Sequence, residues 1–70
     1  MTLEDALIQA HAQGDKIALV ALYREAASKT SEGRAKRFYL TQAYIFALEI
    51  GTAEVTRLKA DLVHLGAYSA

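Results

Sequence analysis

Seventy residues make one small domain, of a size at which only about 60% of the unfolded chain's surface is buried. The chain has no cysteine, which excludes disulfides and thiolate metal sites and leaves self-association or a partner to supply missing burial. Eight basic and eight acidic side chains cancel to a net charge of +0, so no whole-molecule field draws the chain to nucleic acid or acidic lipid.

Thr2 followed by Asp5 has the form of a capping box, and Leu3, Ala6, Leu7 and Ala10 then recur at helical spacing. This predicts a first helix from Leu3 to about Gln13. Gly14 suits the left-handed residue that closes a helix, and Asp15 can cap the next. So short a turn makes the first two helices an antiparallel hairpin. The second helix is expected from Lys16 to about Ser28, with Leu19, Val20, Leu22, Tyr23, Ala26 and Ala27 on its apolar side. Its alanines suit close backbone approach, and the Tyr23 hydroxyl needs a partner or water.

The polar run Lys29 to Gly33 joins two hairpins. Thr30 or Ser31 is expected to cap the third helix, which enters the most apolar stretch of the chain, Phe38 to Ile50. Tyr39, Ala43, Phe46 and Ile50 form one flank of that stretch and Leu40, Tyr44, Ala47 and Leu48 the other, so this helix has two partners to bury against. Gly51 ends it, and Thr52 is expected to repeat the part of Asp15. A fourth helix, Ala53 to about Leu65, turns Val55, Leu58, Leu62 and Leu65 inward and Glu54, Arg57, Asp61 and His64 outward. Gly66 closes it, leaving a tail of Ala67 to Ala70 that frays unless Tyr68 folds back on the core. The sequence thus describes one all-α domain over residues 1–70, with a first hairpin at about 2–28 and a second at about 31–66.

The halves overlay, Leu3, Ala6, Leu7, Ala10 and Gly14 falling on Leu40, Ala43, Tyr44, Ala47 and Gly51. One hairpin used twice, with Gly14-Asp15 followed by Tyr23 and Ala26, resembles the tetratricopeptide (TPR) repeat, whose period is slightly shorter. Leu7, Tyr44, Leu19 and Thr56 stand where that family favours small residues, and the chain has no proline between repeats. The glycines and stripes fit either a TPR-like right-handed stack or a small four-helix bundle.

His11 and His64 lack the i+4 partner of a helical metal pair, so no metal site is expected, and Asp61 with His64 reads as a solvated ion pair. His11, beside Gly14, reads as a capping residue at the negative end of the helix dipole. The carboxylates are scattered and no phosphate loop or nucleophile elbow occurs, so neither catalysis nor a cofactor is expected. Lys29, Arg34, Lys36 and Arg37 are the one local basic patch. They read as the solubilising start of a helix, with contact to RNA or phosphate the lesser alternative. No apolar run approaches the roughly 20 residues that cross a bilayer, and the first residues are acidic where a secretory leader is basic, so the expected location is cytoplasmic.

The more telling feature is apolar residues on wet faces. The resemblance implies that Glu4, Ile8 and His11 on the first helix and Thr41, Ile45 and Leu48 on the third line a concave groove, which Phe38 extends. Alternatively, Phe38 is covered by the loop from Ser31 to Gly33. The expected function is a protein–protein interaction module without catalytic activity, holding an apolar peptide or helix along Ile8, His11, Phe38, Gln42 and Ile45. The alternative partner is the chain itself, in a homodimer with no peptide ligand.

Overall fold

The computed structural model describes residues 2–66 of the chain. They form four helices and, among the described residues, no strand: α1 (Leu3–Gln13), α2 (Lys16–Lys29), α3 (Gly33–Ile50) and α4 (Glu54–His64). The expectation for the tail lies outside the described residues.

Local chemistry sets most of these boundaries. The capping box at α1 closes in both directions: the Asp5 amide donates to Thr2 Oγ1 at 3.1 Å and the Thr2 amide to Asp5 Oδ2 at 3.5 Å. At the other end Gly14 takes φ 65°. There the Asp15 amide reaches back to the Ala10 carbonyl at 2.9 Å and the Gly14 amide to that of His11 at 3.1 Å, which satisfies carbonyls the helix leaves open. Gly51 repeats this arrangement at φ 70°, with Thr52 and Gly51 bonding to Ala47 and Leu48.

The two turns then diverge. Asp15 caps α2 by accepting the Ala18 amide at 3.1 Å. Thr52, expected to do the same for α4, offers its hydroxyl only to the Glu54 amide at 3.4 Å, and Ala53 precedes the helix with no side-chain cap. A second correction concerns α3. Neither Thr30 nor Ser31 is its cap: the Glu32 carboxylate accepts the amides of Arg34 and Ala35 at 3.0 and 2.8 Å. Thr30 instead accepts the Glu32 amide at 3.2 Å, shaping the turn before the cap. A carboxylate meets both free amides with charge as well as hydrogen bonds, so it prevails over a hydroxyl.

The core lies along the seams between helices. Leu19, Val20, Tyr23, Ala26 and Ala27 of α2 are buried, as are Leu40, Ala43 and Ala47 of α3 and Leu58 and Leu62 of α4. Alanine at five of the buried positions, Ala10, Ala26, Ala27, Ala43 and Ala47, lets backbones approach closely. Close approach of backbones follows chain order, α1 with α2, α2 with α3, α3 with α4, the α2–α3 seam being the most extensive. Four helices in a square bundle, with axes about 8–10 Å apart, would be thin in two directions. Here the Cα trace measures 35 × 28 × 13 Å and is thin in one. The hairpins therefore stand side by side as an open layer. The apolar third helix is central to it, gripped by α2 on one flank and α4 on the other.

Candidate protein-contact face

Tyr23 fixes how α1 and α3 sit on α2. Its ring lies near-parallel to Phe46 of α3 at a centroid distance of 6.1 Å and tilted against Tyr39 at 6.3 Å, while its hydroxyl meets His11 Nε2 of α1 at 2.8 Å. One buried side chain of α2 thus touches both neighbours, which places α1 and α3 on the same side of it. His11 completes the contact by standing edge-on to Phe46 at 5.8 Å. Burial holds the Tyr23 phenol above its ordinary value, and the nearby Tyr39 adds to this.

With the inner arcs so placed, the outer arcs follow from helix geometry. On α1 the inward residues are Leu3, Ala6, Leu7 and Ala10, and Ile8 falls opposite them. On α3 the inward residues are Leu40, Ala43 and Ala47, and Phe38 and Ile45, seven residues apart, fall opposite those. These side chains are open to solvent: Ile8 is 62% exposed, Phe38 54%, Ile45 43% and Leu48 52%. Phe38 is therefore not covered by the Ser31 to Gly33 loop, its one ring neighbour among the described residues being Tyr39 at 5.6 Å. Gln42 is half-buried on the same stripe. On α3, Phe38, Gln42 and Ile45 form one outward stripe of apolar and amide surface, and Ile8 is the exposed large apolar residue of α1.

His11 differs from its expected part. Its imidazole bonds to Tyr23 rather than to the carbonyl end of α1, where the amides of Gly14 and Asp15 already serve. The clue in the sequence was the demand of the Tyr23 hydroxyl for a partner. Which side chain would meet it depends on the rotation of α1 against α2, which no local pattern encodes.

Away from these residues, a concavity opens on α2, α3 and α4. A cleft of about 320 Å³ has Ala27, Leu40 and Leu65 as apolar lining and Arg24, Ser28, Lys36, Asp61 and His64 as polar lining. Asp61 and His64 form no ion pair with each other, contrary to the solvated pair expected of them. The ion pairs among the described residues are Arg24 with Glu54 at 2.8 Å, Lys16 with Glu49 at 3.1 Å, and Lys29 with Glu25 at 2.9 Å. The first two tie α2 to α4 and to α3, so Glu54 is turned toward α2 rather than simply outward. Of the basic patch, Lys29 is paired within α2, Lys36 turns to the cleft, and Arg34 and Arg37 stay exposed on the first turns of α3.

Another groove, about 340 Å³, runs between Ile17, Val20 and Ala21 of α2 and Ile50, Thr52 and Glu54. Among the described residues, no three of the His, Asp and Glu side chains gather as metal ligands would. No helix there is long and apolar enough to cross a membrane. Comparison with the models of protein families, with curated proteins and with solved structures finds no match to this chain.

Proposed function

We propose that the chain is a TPR-like protein–protein interaction module of the cytoplasm, without catalytic activity, that binds through the face formed by Ile8, Phe38, Gln42 and Ile45. One observation carries this reading. Among the described residues six large apolar side chains, Ile8, Ile17, Phe38, Ile45, Leu48 and Ile50, are exposed, as many as the six, Leu19, Val20, Tyr23, Leu40, Leu58 and Leu62, that are buried. A chain this short, with little core to spare, gains most from an apolar group by burying it. By helix geometry Ile8 lies on the outer arc of α1 and Phe38 and Ile45 on that of α3, and exposed aromatic and aliphatic side chains of this kind are the usual centre of a contact. An apolar helix laid along the stripe would meet Ile8, Phe38 and Ile45 with its own i, i+3 and i+4 side chains.

The reading is tested by capture from the source cell with the wild-type chain and with Ile8→Asp combined with Ile45→Asp. Both positions are exposed, so helical circular dichroism should be unchanged while the captured partner is lost. Retention of the partner by the double variant would remove this face from consideration.

A further inference from the structure

We infer that the occupant of this face is a second copy of the same chain, docked about a two-fold axis that lays α1 of one protomer over α3 of its partner. The inference rests on the reading above that the face is a binding surface, and it names what binds. Charge is its first support. Glu4 stands one turn before Ile8 on α1 and forms no ion pair among the described residues, and Arg34 stands one turn before Phe38 on α3, with Arg37 beside it, also without one there. An acid on α1 and bases on α3, with apolar side chains following each, make a surface that complements itself. A two-fold operation satisfies it twice, bringing Glu4 toward the partner's Arg34 and Arg37 while Ile8 meets the apolar stripe of α3.

The second support is an imbalance the single chain leaves unexplained. Arg34 and Arg37 lie in the first turns of α3, at the positive end of the helix dipole, where cations are unfavourable. Glu32 is the one acid at that end, a single carboxylate shared between two backbone amides and the charge of Arg37. A carboxylate from a facing copy would offset what remains. The net charge of +0 sets no long-range repulsion between copies. No component beyond the chain itself is needed to cover the face.

Sedimentation equilibrium from low micromolar to several hundred micromolar tests this directly, and the expected result is a mass that doubles with concentration. Glu4→Arg alone, or Arg34→Glu with Arg37→Glu, should weaken the dimer about tenfold or more by setting like charges opposite each other. The combination of all three should regain it, which general stickiness of an apolar face would not do. A wild-type chain that stays monomeric throughout, or a triple variant that folds yet fails to regain the dimer, overturns the second-copy assignment. If a monomeric chain loses another captured protein on Ile8→Asp with Ile45→Asp, the occupant is that protein and the binding surface stands. If capture survives as well, both fall.

Discussion

The two sides of α3 carry similar kinds of residue and opposite consequences. Leu40, Ala43 and Ala47 on the inner side are closed in by α2 and α4, Ala43 and Ala47 with no exposed surface at all. Phe38 and Ile45 on the outer side are larger, yet about half of each is open. Apolar character alone therefore does not mark the core of this chain. Neighbours decide it: α3 has helices on two flanks and none across its outer face. Stability and contact are thus assigned to opposite arcs of one helix, and substitutions can address them separately.

The widest separation is expected between Leu40→Ala and Ile45→Ala. Truncating a buried leucine costs about 2–5 kcal/mol, a large share of the roughly 4–10 kcal/mol available to a chain of this length. Truncation at the exposed position should fall within about 0.5 kcal/mol, as surface changes usually do. Urea unfolding followed by circular dichroism, at a protein concentration too low for copies to associate, measures both. Comparable losses at the two positions would break the distinction, because Ile45 would then belong to the fold.

An intermediate effect is expected at Gly51, which ends both arcs together. Its φ of 70° lies where a Cβ is disfavoured, although a Cβ there would meet nothing within 4 Å. Gly51→Ala should therefore cost about 1–2 kcal/mol from backbone strain alone, with no rearrangement of neighbours. The same substitution at Gly14, with φ 65° and equally open surroundings, should cost about as much. A much larger loss at one glycine, read from the same unfolding curves, would mean that one hairpin turn bears a load the geometry does not assign to it.

What could be read in the sequence was what is settled within a few residues. The Thr2 and Asp5 box, the closing glycines at positions 14 and 51 and the Asp15 cap each act over one turn of chain, and each stands where the pattern placed it. The burial of Leu58 and Leu62 and the two-sided packing of α3 follow from stripes long enough to fix a helix face. The links across helices were not legible. The His11–Tyr23 bond and the Arg24–Glu54 and Lys16–Glu49 pairs depend on how far one helix is rotated and slid against the next. Apolar stripes set that to within about a turn, and a hydrogen bond needs it to within a fraction of an ångström. The exposure of Phe38 was expected from its place on the outer arc, but the alternative of cover by the Ser31 to Gly33 loop could not be settled from sequence. Its neighbours in sequence, Tyr39 and Leu40, turn inward, and only the absence of a helix across that face leaves it open.

The smallest effect bears on the start of α3, and it probes the outer side alone. Glu32 is held below the ordinary carboxylate range, first by the backbone amides of Arg34 and Ala35 and further by the charge of Arg37, against a small opposing effect of desolvation. With the folded value depressed, its contribution is present above the unfolded value, near about 4.3 for glutamate, and is lost as pH falls through the lowered folded value. Acid should then loosen the first turn of α3, which carries Arg34 and leads into Arg37 and Phe38, before it disturbs Leu40 and the seam with α2. A modest loss of helical signal is expected below that range in the wild type. In Glu32→Ala that part of the loss should be already present at neutral pH, and the step on acidification should be smaller by the same amount. If the two chains titrate identically, the carboxylate is not what holds the first turn, and the outer face would have to draw its order from whatever covers it.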